Sequence, residues 1–269
     1  MPLSTNEAAA MLIPFTKASA CGNDFLIVDR SLVSSPLPDL TKRMCDRHNG
    51  VGADGVEWLY ACSEADIEAR LINADGSAAE ISGNGTRCVA AYLCEQSRKE
   101  LLVVKTGAGP RTCTLKERSG NSFEFETAMG IPEVGADLEI STAFGTVRGT
   151  PVSMGNPHFV VVVPEFWEDW KARAAAMQRN PDFTQGMNIE LLVIENELNI
   201  RVRFFERGVG ETQSSGTGSC AAAMAVIKRG LGKSPLRVHA PGGTQVVRYG
   251  DEVFLQGPAQ LICRGEFFV

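Results

Sequence analysis

Ser82 and Ser215 each stand directly before a Gly-x-Gly triplet, in Glu80-Ile81-Ser82-Gly83-Asn84-Gly85-Thr86-Arg87-Cys88 and in Gln213-Ser214-Ser215-Gly216-Thr217-Gly218-Ser219-Cys220. Small, helix-favouring residues follow both, so each segment reads as a glycine loop opening a helix. A helix N-terminus offers unpaired N–H groups and partial positive charge, which suits an anion such as a carboxylate. The two serines lie 133 residues apart (215 − 82), close to half of the 269. The repetition points to two similar domains, and two such helix starts facing one another would make a symmetrical clamp.

The elements that must position this clamp are mostly strands. Short apolar or alternating runs at Phe25 to Val28, Leu101 to Lys105, Phe159 to Val163, Ile200 to Phe204, Gln245 to Arg248 and Glu252 to Leu255 read as strands. Helical patterns are few: Leu40 to Arg47, Gly85 to Gln96, Glu165 to Gln178 and Gly218 to Arg229. The second and fourth are apolar on most sides and require burial on most sides, which a curved sheet wrapped around each would supply. The expected class is therefore α+β, with one central helix per half. Met129-Gly130-Ile131-Pro132 interrupts the pattern and places the boundary near Thr127 to Gly135. The expected domains are 1–127, joined by the C-terminal strand 260–269, and 128–259.

Composition narrows the function. With 44% hydrophobic and 22% charged residues the chain is an ordinary globular protein. A net charge of −6 and no basic stripe argue against a nucleic-acid partner. No apolar run approaches the ~20 residues of a membrane span, and Met1 to Ala10 lacks the form of a leader, so a cytoplasmic protein without membrane attachment is expected. Eight cysteines show no metal-ligand spacing and read mostly as buried thiols. Three histidines without a His-Glu-x-x-His cluster make a zinc site an unfavoured reading. There is no Walker loop, and neither Gly-x-Gly carries the further spaced glycine of a dinucleotide fingerprint.

Several loops concentrate polar residues: Gly22-Asn23-Asp24-Phe25, Asn49-Gly50-Val51-Gly52-Ala53-Asp54-Gly55, Asn73-Ala74-Asp75-Gly76-Ser77, Gly155-Asn156-Pro157-His158 and Glu206-Arg207-Gly208-Val209-Gly210-Glu211-Thr212. Singly, each is explained by turn chemistry. Together with Gly83-Asn84-Gly85-Thr86-Arg87-Cys88, Asn188 and Gly216-Thr217-Gly218, in that order and spacing, they give a chain that resembles the diaminopimelate epimerase family over essentially its full length.

The resemblance implies two pseudo-symmetric domains, each a rolled β-sheet barrel around a central helix, with the site between them. It implies interconversion of L,L- and meso-diaminopimelate for lysine and peptidoglycan synthesis, without pyridoxal phosphate, metal or other cofactor, by a homodimer. It also implies two cysteines on opposite faces of the α-carbon, one taking the proton as thiolate and the other returning one. Ser82 and Ser215 occupy those positions. A hydroxyl is a far weaker acid than a thiol and needs a neighbouring base to act as one. Cys88 and Cys220 fall six and five residues further on (88 − 82, 220 − 215), where packing is the expected role.

Three readings follow: an epimerase altered by design at both thiol positions, a natural isomerase working through Ser82 and Ser215 with His158 and Glu206 as activators, or a non-catalytic amino-acid binder. The binding set is better kept than the bases. By resemblance Asn23, Asn73, Asn156, Asn188 and Arg207 hold the distal amino-acid end, Arg207 pairing its carboxylate in a fork. The backbone N–H groups of Gly83, Asn84, Gly216 and Thr217 bind the reacting α-carboxylate. Glu206 meets the α-ammonium, and His158 and Glu206 flank the proton-transfer groups. A second head-group site of this kind favours diaminopimelate over a short amino acid such as proline, which would leave Arg207 and Asn188 buried and unpaired.

Overall fold

The computed structural model describes residues 12–269; the N-terminal stretch Met1 to Ala10, read above for a leader, lies outside them. The first half carries strands β1 (Leu12–Ala20), β2 (Asn23–Asp29), β3 (Gly55–Tyr60), β4 (Ile67–Asn73), β5 (Ala78–Ala79), β6 (Leu101–Thr106), β7 (Gly109–Ser119) and β8 (Ser122–Gly130), with helices α1 (Leu37–Cys45) and α2 (Gly83–Ser97). The second carries β9 (Glu133–Val134), β10 (Leu138–Thr142), β11 (Gly145–Ser153), β12 (Pro157–Val162), β13 (Asn188–Asn196), β14 (Asn199–Glu206), β15 (Gly210–Thr212), β16 (Leu236–Ala240), β17 (Gly243–Tyr249) and β18 (Val253–Phe268), with α3 (Trp170–Gln178) and α4 (Gly216–Lys228).

The repeat extends well beyond the glycine loops. Strands β2 and β3 pair in parallel, as do β12 and β13, with Phe25 beside Gly55 and His158 beside Asn188. Both pairs reproduce an offset of 133 (158 − 25, 188 − 55). The hairpin strands keep it: Leu71 faces Ala79 where Phe204 faces Thr212 (204 − 71, 212 − 79). After the helices β6 pairs in parallel with β4 as β16 does with β14. Each half is thus a mixed sheet rolled around one helix, giving two domains of the same α+β topology.

Apolar burial explains why the helices sit inside. Around α2, Cys88, Val89, Ala90 and Ala91 meet Phe25, Leu71, Leu102 and Phe125. Around α4, Cys220, Ala221, Ala222, Ala223 and Met224 meet Val160, Leu192, Phe204 and Leu255. Small side chains let a helix approach sheet on every side, where larger ones would overfill the barrel. Strand β18 joins the two halves, pairing with β17 and β8 in its first part and with β1 from Gln260 onward.

The structure corrects the expected element bounds. The residues Glu165 to Asp169 form a loop, and Trp170, with Asp169 as its N-cap, starts α3. Both central helices start at the first glycine after the serine rather than two residues later. The strand expected at Glu252 to Leu255 is the 16-residue β18. Six of the eight cysteines are buried free thiols, with Cys62 half-buried and Cys263 exposed. Among the described residues no helix is long and apolar enough to cross a membrane.

Candidate active site at the two helix starts

Ser82 and Ser215 are the N-caps of α2 and α4, each in extended backbone conformation. Ser82 Oγ accepts the Gly85 N–H at 3.0 Å, and Ser215 Oγ accepts the Gly218 N–H at 3.2 Å. Serine at this position relieves one of the donors a helix leaves unpaired. The helices meet start to start: a methyl group built on Gly83 would lie 3.6 Å from the Gly216 Cα, in ordinary contact. Their positive ends therefore converge on one point between the halves.

Paired side chains flank this point in both halves. Asn84 Nδ2 donates to Asn23 Oδ1 at 2.7 Å, and Asn156 Nδ2 donates to Thr217 Oγ1 at 3.3 Å. These are matching positions (156 − 23 and 217 − 84 both equal 133). On the first side Asn23 Nδ2 passes on to Asp54 Oδ2 at 3.1 Å, and Arg47 pairs with Asp54 and Asp24. On the second side Asn156 Oδ1 accepts from His158 Nε2 at 3.0 Å, while His158 Nδ1 shares a proton with Glu190 Oε1 at 2.7 Å.

His158 and Glu190 are both almost fully buried. Burial pushes the Glu190 carboxyl up, opposed by the adjacent imidazole. Both His158 ring nitrogens are occupied, so neither is free to take the proton of Ser215 directly. Glu206 Oε1 accepts from Thr212 Oγ1 at 2.6 Å, and burial raises its pKa as well. The expected direct activation of the serines by these two residues therefore has no hydrogen bond behind it among the described residues.

The distal set lies on the neighbouring loops. Asn188 Oδ1 accepts the Arg207 N–H at 2.9 Å, and its Nδ2 donates to Pro157 O at 3.0 Å. Arg207 is exposed, with Nη1 on Gln185 O at 2.6 Å, so the expectation of a buried Arg207 left unpaired by a short ligand is not met. Its stem crosses Gly186, where a methyl would lie 2.5 Å from the Arg207 Cδ. Asn73 donates to Ser77 Oγ at 3.0 Å and helps close the turn that its Asn-Ala-Asp-Gly sequence signals.

Three charged residues beside this site were not singled out from the sequence. Glu57 and Glu190 again keep the offset (190 − 57 = 133) and lie against Gly85 and Gly218 respectively. Burial raises the Glu57 pKa to about 8. Arg87, on α2, is fully buried. A carboxylate inside an apolar strand run, twice at matching positions, is the signal that marks the glutamates. Cys88 and Cys220 are fully buried and burial holds both thiols far above their usual range, which fits the packing role expected of them.

A family model described as diaminopimelate epimerase matches residues 15–134 and 150–262. The chain is 34% identical to the diaminopimelate epimerase of Pelotomaculum thermopropionicum over 274 residues, 94% of this chain and 98% of that one. It is 36% identical to that of Corynebacterium glutamicum, over 95% and 98% of the two chains. Among solved structures, a hydroxyproline epimerase from Agrobacterium vitis superposes with a TM-score of 0.71 at 16% identity, over 95% of this chain and 91% of that one. A methylitaconate-delta-isomerase superposes with a TM-score of 0.68 at 12% identity, over 97% and 96%. At those identities the likeness is one of fold.

Proposed function

As a member of the diaminopimelate epimerase family, this chain, we propose, binds diaminopimelate between its two domains and interconverts the L,L and meso forms. The observation that carries the reading is the convergence of two serine-capped helix starts at Gly83 and Gly216. The α-carboxylate sits on the free N–H groups of Gly83, Asn84, Gly216 and Thr217, where the charge that develops as the α-proton leaves is stabilised by dipoles already in place. Ser82 and Ser215 stand on the two faces of the α-carbon.

Asn23, Asn73, Asn156 and Asn188 line the pocket by this reading, and Arg207, exposed, exchanges its hydrogen bond to Gln185 O for the distal carboxylate. Glu206 receives the α-ammonium. His158 and Glu190 orient Asn156 from behind. Lysine and peptidoglycan precursor synthesis is the corresponding role, carried out by a homodimer in the cytoplasm.

The proton-transfer step is where this chain differs from a two-thiol enzyme. Each serine oxygen already accepts a capping N–H, and no base is hydrogen-bonded to either hydroxyl among the described residues. Turnover is accordingly slow, and the same observation favours, as a second reading, a pocket that binds without turning over. Titration calorimetry with L,L- and meso-diaminopimelate, beside trans-4-hydroxy-L-proline, tests the substrate assignment. Binding of both diaminopimelate isomers and not of the proline supports it; tighter binding of the proline overturns it.

A further inference from the structure

Arg87 is a fully buried guanidinium, and among the described residues it makes no ion pair. Its Nε donates to Pro258 O at 3.2 Å, and its Nη2 donates to Asn84 Oδ1 and to Cys21 Sγ. Nη1 is buried with no partner among the described residues. The Glu124 carboxyl feels this charge without forming an ion pair with it. A buried charge with no ion-paired partner is costly, and a buried N–H without an acceptor adds to the cost. The environment of Nη1 is therefore informative.

A methyl group built on Gly83 would lie 4.0 Å from Nη1 and 3.6 Å from the Gly216 Cα, with no other heavy atom within 4 Å apart from its chain neighbours and its own helix backbone. The orphan N–H thus lies beside the point where α2 and α4 meet start to start. Two helix N-termini contribute roughly half an elementary charge each, and the guanidinium adds a whole one. Three positive features meet at one point.

We infer that Arg87 is the buried counter-cation of a carboxylate bound at the junction of the two helix starts, and that it also sets the orientation of that site through Asn84. Arg87 can only donate, so Asn84 must turn its Oδ1 to Nη2 and its Nδ2 toward Asn23. Asn23 in turn presents its Oδ1 to Asn84 and its Nδ2 to Asp54. One guanidinium thereby fixes both amides of the first half.

This deepens the proposed function and rests on its placement of the α-carboxylate. When the α-C–H bond breaks, the proton passes to the base and the electron pair delocalises into the carboxylate, raising its negative charge. A cation held in place before the reaction favours that state over the ground state. Arg87 therefore lightens the demand on a base as weak as a serine. Its role is positional and electrostatic, exerted from behind the backbone donors.

The test compares the full chain with Arg87→Met, Arg87→Lys and Gly83→Ala, reading thermal stabilisation by acetate and calorimetric affinity for meso-diaminopimelate. Arg87→Met is expected to weaken diaminopimelate about 30-fold or more and to abolish stabilisation by acetate, with Arg87→Lys recovering part of both. Gly83→Ala keeps the guanidinium and adds a methyl at ordinary contact distance, so it folds even if Arg87→Met does not. It fills the space before Nη1 and is expected to lose both responses.

Unchanged affinity and unchanged acetate response in Arg87→Met, or in Gly83→Ala where Arg87→Met does not fold, overturn the inference. If the parent chain ignores diaminopimelate yet is stabilised by acetate in an Arg87-dependent way, the substrate assignment fails and the inference stands. No acetate response in the parent chain overturns the inference if diaminopimelate binding is also insensitive to Arg87.

Discussion

Glu57 and Glu190 occupy equivalent positions beneath the two helix starts, yet among the described residues only Glu190 has a basic partner, His158 Nδ1 at 2.7 Å. The residue matching His158 in the first half is Phe25 (158 − 133), so Glu57 is buried among apolar neighbours. The pseudo-symmetry of the fold thus carries two carboxyl groups with different electrostatic surroundings.

A first prediction concerns pH. The Glu57 pKa stands at about 8 against an ordinary 4.5, raised by burial. Between those values the folded chain holds a proton that the unfolded chain has released. Its contribution to stability is complete below pH 4.5 and is lost as pH rises toward 8, by up to about 1.4 kcal/mol per pH unit. Glu57→Gln removes this dependence. The Tm difference, variant minus parent, is expected to grow from pH 5 to pH 8, and a constant difference would count against a buried, protonated Glu57.

A second prediction concerns the His158 and Glu190 pair. Removing one member of a buried pair strands the other, so Glu190→Ala is expected to cost about 3–5 kcal/mol. Glu190→Gln keeps a hydrogen-bonding group of the same shape and is expected to cost about 1–2 kcal/mol. Urea denaturation of both variants checks the order. Equal losses would show that packing, and not the shared proton, holds this site.

A third prediction tests the fit of the glutamates under the glycines. A methyl on Gly218 would meet Glu190 Oε1 at 2.8 Å and the Phe204 ring at 2.9 Å, and a methyl on Gly85 would collide with the Glu57 carboxyl. Gly85→Ala is expected to destabilise by about 1–3 kcal/mol, and adding Glu57→Ala is expected to recover part of it. Additive losses in the double variant would contradict the contact.

The two glycine loops were legible because Ser-Gly-x-Gly followed by small residues has few structural outcomes. The domain likeness followed from their spacing, since a repeat at half-length implies a repeated fold. Glu57 and Glu190 escaped notice, and Arg87 was given no role of its own, for a physical reason: a lone charged residue in an apolar strand or helix reads as one exposed position until the sheet closes over it. The return of 260–269 to the first half was expected, but the continuity of β18 back to Val253 was hidden, because its two parts serve different partners and its pattern changes from inward burial to an exposed edge near Gln260. The turn reading of Asn73 describes its own contacts, and a ligand role for it rests on the matching position of Glu206 (206 − 73 = 133).

The most direct test of the account is α-proton exchange in D2O, followed by NMR for L,L- and meso-diaminopimelate with the chain as it stands and with Ser82→Cys/Ser215→Cys. By the proposed reading the binding groups are in place and the bases are weak, so exchange is expected to be slow in the parent chain and about 100-fold or more faster in the double variant. Both proteins are expected to bind the substrate with similar affinity. Exchange in the parent chain as fast as in the cysteine variant would contradict the assignment of Ser82 and Ser215 as the limiting groups, and no exchange in either would contradict the placement of diaminopimelate at the helix starts.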